Sequence, residues 1–278
     1  MQCKFPKKPR RKALHLIDFH THIYPQAIAA KAAKSISDFY ELEGGGMDGT
    51  VEQLLQLGRQ IGVDKYVVLP VGLKPNHVRH INEFILGEVA QHKEFIGFGT
   101  VHAAMDNLCE EVEFIQQSGL HGIKMHPDTQ LFDIDDERLF PMYDMVQGKL
   151  PVMLHMGDKR YNYSHPARLR RVLRTFPGLQ VIAAHFGGYS VYDEAYENLH
   201  DMDCFMDVSS SLMFMSPEDA VKRIRSYGTE RLVYGSDFPL WNPAEEWERF
   251  LKLPLTEEEQ EQITYKTALT VLGDGISL

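Results

Sequence analysis

Eight short apolar runs, amphipathic segments between them, and 278 residues without a low-complexity linker predict an α/β chain folded as a (β/α)8 TIM barrel, regular or distorted. The runs fall at residues 14–19, 65–71, 95–101, 122–125, 151–154, 180–184, 204–208 and 231–234. Stretches such as YVVLP and QVIAA are apolar on both faces, as strands of a fully covered parallel sheet should be. An open doubly wound sheet is the competing arrangement.

The first run passes into IDFHTHIYP and then into the longest connection, residues 24–49, with GGG at 44–46. This connection is expected to form a partly helical lid over the strand ends. Thr50 with Gln53, and Thr256 with Glu259, have the spacing of capping boxes and mark helix starts. Ser164 and Ser216 each precede a segment with an early proline, a second kind of start. Leu169, Val172, Leu173 and Phe176 repeat at helical spacing before FPG ends their helix, and segments 105–119 and 217–228 finish at glycines. Residues 13–278 therefore read as one barrel domain, preceded by a basic tail at 1–12.

Hydrophobic residues make up 44% of the chain and charged residues 24%, enough to bury a sizeable core. The net charge of −10 is uneven: Lys4, Lys7, Lys8, Arg10, Arg11 and Lys12 fall in the tail with no acid, and setting those six aside leaves −16. An acidic body argues against nucleic acid as a partner. The tail reads as a solvated, frayed terminus. No run approaches the roughly 18 apolar residues of a membrane span, and no secretory apolar segment is present. Cys3, Cys109 and Cys204 are widely spaced and form no CxxC pair, so free thiols in a cytoplasmic setting are expected.

The unusual polar residues gather at the C-terminal ends of the runs: His20 and His22, Lys124 and His126, His155, His185 and Asp237. Barrel enzymes place their chemistry at that end, where the loops share a mouth. Side chains two apart on a strand share a face, so His20 and His22 can aim at one point. A histidine pair, a third histidine and a carboxylate suit a divalent ion such as zinc, with a position left for water. Asp18 shares their alternation one layer deeper and could orient a ligand. His15 reads as structural, and His102 alone of the other histidines ends a run. Lys159, Arg160 and Arg168 follow the fifth run and could collect an acidic substrate or simply be solvated. Tyr161 and Tyr163 could wall the mouth, and Ser209 could contact substrate.

DFHTHIYP, GIKMHP, VMLHMG, VIAAHFGG and VYGSDFP, in that order, resemble the motif series of the amidohydrolase superfamily. They resemble most its metal-dependent amidohydrolase 2 branch, which includes aminocarboxymuconate-semialdehyde decarboxylase and uncharacterised hydrolases. The resemblance implies that His20, His22, His155 and Asp237 bind one divalent metal, zinc first, with manganese, iron or cobalt as alternatives. It further implies that His185 lies beside the metal-bound water and that Asp237 accepts a proton from it. Lys124 bridges a second metal if carbamylated; otherwise it binds a substrate carboxylate or is structural, with His126 as its neighbour in the pocket. Relatives often dimerise, so a homodimer is compatible with this reading. Where relatives carry an Asn-Ala pair in the last helix, this chain has TYKTALTVLG.

The implied activity is hydrolysis of a C–N or C–O bond in a small, acidic or neutral, substrate by metal-activated water. Nonoxidative decarboxylation of an unsaturated or aromatic acid uses the same ligands and is the alternative. The sequence contains no GxxxxGK[ST] or GxSxG pattern, and its GxGxxG match, GGGMDG at 44–49, lies in the longest connection and not directly after an apolar run, so neither a nucleotide cofactor nor a serine hydrolase is implied.

Overall fold

The computed structural model describes residues 14–42 and 47–278; the basic tail and the GGG stretch lie outside the described residues. The strands follow in chain order as Ile17–Thr21, Lys65–Val68, a split third strand, Ile123–Met125, Val152–Leu154, Val181–Ala183, Phe205–Asp207 and Leu232–Val233. All pair in parallel with their neighbours in sequence. The third strand breaks at Phe98 into Phe95–Gly97 and Gly99–Thr100. Phe98 N–H donates to Val68 O at 3.1 Å and Gly99 N–H to Gly122 O at 2.8 Å, so the broken strand still links its two neighbours.

The last strand returns to the first. Phe19 N–H donates to Tyr234 O at 2.9 Å, Asp237 N–H to His20 O at 2.8 Å and His22 N–H to Phe238 O at 2.7 Å. These bonds close the ring and place Asp237 beside the histidine pair.

Two apolar clusters follow from the strand pattern. Val68, Ile123, Val152, Leu154 and Val181 pack with Leu54, Ile85, Val112, Ile115, Leu169 and Val172 from surrounding helices. The alternate residues Phe19, Val67, Ile96, Phe98, Met153, Ile182 and Val233 fill a second cluster inside the ring. Ala268 and Val271 of the last helix, Thr267–Leu272, join that inner cluster. The same helix lies beside Leu120, Pro151 and Gln180, just before strands four to six, so it covers the end of the barrel where strands begin.

The expected lid contains a helix, Ala29–Phe39. Thr50 caps the helix Val51–Ile61, and Thr256 and Glu259 form the reciprocal capping box. Ser216 caps Pro217–Tyr227. Ser164 behaves differently: His165 caps Pro166–Thr175, while the Ser164 hydroxyl donates to Asp128 at 2.5 Å.

The first strand also departs from simple alternation. Its register against the second strand shifts between Asp18 and Thr21, so two-residue spacing alone does not fix which side chains share a face. Asp18 accepts from the backbone N–H of His20 at 3.3 Å and of Ser236 at 2.9 Å. It therefore ties the first strand to the segment after the last strand through their main chains instead of touching an imidazole.

Candidate metal centre

Three acceptors converge at the mouth. His20 Nε2 lies 3.2 Å from His22 Nε2, and Asp237 Oδ1 lies 3.3 Å and 3.4 Å from those two nitrogens. The other nitrogen of each ring is already committed. His20 Nδ1–H donates to Asp207 Oδ2 at 2.6 Å, and His22 Nδ1–H donates to the Leu69 carbonyl at 2.6 Å. Both bonds leave Nε2 with its lone pair facing inward, the arrangement that orients metal-binding histidines. Asp237 is fixed as well, because its Oδ2 accepts from the Ser210 hydroxyl, which in turn accepts from Trp241 Nε1 at 2.8 Å.

Lone pairs from two neutral imidazoles and a carboxylate repel one another unless a cation joins them. The donor set therefore fits a divalent ion of the zinc or manganese type. Lys124 Nζ, 3.2 Å from His20 Nε2, supplies one positive charge at the edge of this group. Burial pulls the Lys124 pKa down to about 8, against the raising influence of Asp207 and Asp237. Burial likewise lowers His20 to about 4, so its ring stays neutral. Burial opposes ionisation of Asp207 and Asp237, but the adjacent imidazoles hold both carboxyls well below the usual range.

The third predicted histidine ligand sits in a neighbouring group. His155 is brought together with His126 and Asp128, apart from the His20, His22 and Asp237 group. The rings of His126 and His155 stack at 3.9 Å with only 7° between their planes. Burial first, then nearby positive charge, keeps both pKa values well below the ordinary imidazole range. His155 Nδ1 lies 3.1 Å from His185 Nε2, and His185 Nδ1–H donates to the Ser209 carbonyl at 3.1 Å. The Ser209 hydroxyl donates to Asp207 at 2.8 Å, beneath the imidazoles.

Four residues of the site were not singled out from the sequence: Tyr40, Asp128, Asp207 and Ser210. Tyr40 comes from the end of the lid, its phenol oxygen 2.8 Å from His126 Nε2 and 3.2 Å from His155 Nε2. Burial, and then the charge of Asp237, raises its pKa well above 10 and keeps it a hydrogen-bond donor. Asp207 was readable as an acid inside an apolar run. The remaining candidates are engaged as follows: His102 Nδ1 accepts from Ala104 N–H at 3.1 Å, and Arg168 pairs with Asp135 at 2.7 Å. Arg160 is held by Asp158 at 2.6 Å, and Lys159 uses its backbone N–H on Ser190. Tyr161 stacks on Phe39, with Tyr163 behind it.

Strain concentrates here. His185, Ser210 and Asp237 have φ of 59°, 49° and 60°, left-handed values that cost about 1–3 kcal/mol each in residues other than glycine. Gly235 permits the close approach of strands one and eight, since a Cβ there would stand 2.6 Å from the His20 Cβ.

No curated protein matches the chain in sequence. Among solved structures, an uncharacterized TIM-barrel protein from Bordetella bronchiseptica superimposes with TM-score 0.77 at 19% identity, covering 93% of this chain and 98% of that one. The 5-carboxyvanillate decarboxylase of Sphingomonas paucimobilis superimposes with TM-score 0.72 at 15% identity, covering 93% and 99%. A dihydroxybenzoic acid decarboxylase from Polaromonas, solved with bound manganese and the inhibitor 2-nitroresorcinol, gives 0.71 at 14%, covering 93% and 97%. At these identities the likeness establishes the TIM-barrel fold. The family described as Amidohydrolase matches residues 17–273, a span that runs from the strand bearing His20 through Asp237 to the helix beneath the barrel. On that match the chain belongs to the amidohydrolase family.

Proposed function

We propose that the chain is a metal-dependent hydrolase acting on a C–N or C–O bond of a small, acidic or neutral, substrate. The observation that carries this reading is the meeting of His20 Nε2, His22 Nε2 and Asp237 Oδ1 within 3.4 Å, with both tautomers set by Nδ1–H bonds. A divalent ion held there supplies Lewis acidity, polarising a substrate oxygen and acidifying water. Zinc is the first expectation and manganese the second, with His155 as the fourth ligand. Asp237 accepts the proton released as a water oxygen adds to the scissile carbon, then returns it to the leaving nitrogen or oxygen. His185, whose ring stacks on that of His20 at 5.1 Å and whose Nε2 lies 3.1 Å from His155 Nδ1, borders the reacting centre and helps hold the attacking water.

Decarboxylation is the second reading, favoured by the aromatic walls of the mouth. The Tyr40 ring lies 5.2 Å from that of Tyr189, and Tyr189 lies 6.0 Å from Phe214. Such walls suit a planar acid, and several structurally similar proteins are decarboxylases of aromatic acids. In this reaction the ring carbon takes up a proton to form a C–H bond, and the electron pair of the breaking C–C bond returns to the ring as carbon dioxide leaves. No water is consumed.

Metal content per chain, measured after reconstitution with zinc, manganese and iron in bicarbonate, tests the shared premise. About one ion is expected; two would make a carbamylated Lys124 a bridging ligand, and none would overturn the reading. Product analysis then separates the reactions, because carbon dioxide released without water uptake excludes hydrolysis. Both readings take a small molecule as partner, a cytoplasmic setting, and neither nucleic acid nor membrane. Among the described residues no helix is long and apolar enough to cross a membrane.

A further inference from the structure

The two oxygens of Asp237 have different neighbours. Oδ1 faces the histidine pair, 3.3 Å from His20 Nε2 and 3.4 Å from His22 Nε2. Oδ2 takes the hydroxyl of Ser210, a residue 27 positions earlier in the chain. The direction of that bond is fixed from outside the pair. The Trp241 indole N–H can only donate, and it meets the Ser210 oxygen at 2.8 Å. Ser210 therefore accepts from Trp241 and spends its one hydrogen on Asp237.

The relay joins three separate places in the fold. Ser210 follows strand seven, Asp237 follows strand eight, and Trp241 stands just before the helix Pro243–Leu251, which Asn242 caps through the Ala244 N–H at 2.9 Å. Between the carboxylate and the indole the backbone turns, with Leu240 N–H donating to the Asp237 carbonyl at 2.9 Å. Ser210 and Asp237 both hold left-handed φ values, 49° and 60°, which persist in residues other than glycine where the surroundings over-determine them.

Given the metal-centre reading above, we infer that Trp241 is a positioning residue: acting through Ser210, it holds Asp237 so that one carboxylate oxygen alone faces the cation. A carboxylate free to turn about its Cβ–Cγ bond can offer both oxygens and so fill a second position around the ion. With Oδ2 tied back, that position stays open for water or a substrate oxygen. Ser210 uses one lone pair of Oδ2 and leaves the other free for a proton. The same indole borders Phe214, with ring centroids 6.2 Å apart at 75°, and Phe214 is half exposed. The outer aromatic wall and the metal-facing carboxylate thus meet in one side chain.

The test is a Zn²⁺ titration of metal-free protein against a competing chelator, with Co²⁺ spectra alongside, on wild type, Ser210→Ala, Trp241→Phe and the double variant. A further protein carries 3-benzothienylalanine in place of Trp241, which keeps the size and shape of the indole but has sulfur where the N–H stood. Partners that orient a metal ligand are worth about 10- to 100-fold in affinity, so Ser210→Ala is expected to weaken Zn²⁺ binding about tenfold. Trp241 acts one step further back, so Trp241→Phe and the benzothienyl protein should each lose about three- to tenfold. Adding Trp241→Phe to Ser210→Ala should change nothing further. The visible absorbance of the Co²⁺ form should weaken in every variant, because Co²⁺ absorbs less strongly as its coordination number rises. Wild-type Zn²⁺ affinity in the benzothienyl protein, an unchanged Co²⁺ spectrum, or a Trp241→Phe loss that adds in full to that of Ser210→Ala would overturn the inference. A His20→Ala control separates this failure from that of the metal reading: His20→Ala retaining full Zn²⁺ removes the centre itself, whereas its losing Zn²⁺ while the Trp241 variants match wild type removes only the role of Trp241.

Discussion

Asp207 and His20 are joined by a 2.6 Å hydrogen bond across 187 positions of sequence, and that bond decides which imidazole nitrogen meets Asp237. Asp207→Asn keeps the shape but offers an amide where a carboxylate accepted. The His20 tautomer is then no longer enforced, and metal affinity should fall about 10- to 100-fold with the fold intact. Unchanged affinity by competitive titration would show that the tautomer is set elsewhere.

Removing the metal should cost stability. A ligand at 100 times its dissociation constant stabilises the folded state by about 2.7 kcal/mol. Melting temperature should therefore drop on chelation and recover with Zn²⁺ or Mn²⁺ in wild type, but not in His20→Ala. Identical melting curves with and without metal would count against a buried centre.

Gly235→Ala probes the seam between the first and last strands. Its new methyl would stand 2.6 Å from the His20 Cβ and 3.3 Å from the Ser209 Cβ. Overpacking of this kind costs about 1–3 kcal/mol, and here it also pushes on His20, so stability and metal affinity should fall together. A variant that melts lower while binding metal normally would mean that the seam yields away from the site.

Glu246 provides a pH-dependent test remote from the ligands' own strands. Burial raises its pKa from 4.5 to about 7, outweighing the lowering effect of Arg249. The folded chain therefore retains a proton that the unfolded chain releases near pH 4.5. The associated stability is present below that pH and is lost as pH rises through about 7, an effect on the order of 3 kcal/mol. Glu246→Gln cannot lose this proton, so its melting temperature relative to wild type should climb between pH 5 and pH 8. A constant difference across that range would sink the assignment.

Much of this architecture was legible because a covered parallel strand needs apolar residues on both faces. All eight runs became strands, and QVIAA and YVVLP supplied residues to both the inner and the outer cluster. The polar residues at their ends were conspicuous for the same reason. Two kinds of information were hidden. The register shift after Asp18 lies in strand pairing, so the sequence could not show Asp18 bonding to the main chains of His20 and Ser236. Tyr40 and Asp128 enter through tertiary packing of the lid and the turn after strand four, where local pattern carries no such signal. The departure at TYKTALTVLG lies in the π-helical turn Gln262–Lys266 and the helix Thr267–Leu272, beneath the barrel and away from the mouth.

The closure of strand eight on strand one also sets a timetable. His20 and His22 emerge early in synthesis, but Asp237 follows about two hundred residues later, so the three acceptors cannot meet until residue 237 has left the ribosome. Until then strand one carries an unpaired edge, an aggregation-prone state that must survive for most of translation. Metal capture is thus an event of late assembly, and an abortive fragment ending before strand eight would retain the histidine pair without the carboxylate opposite it.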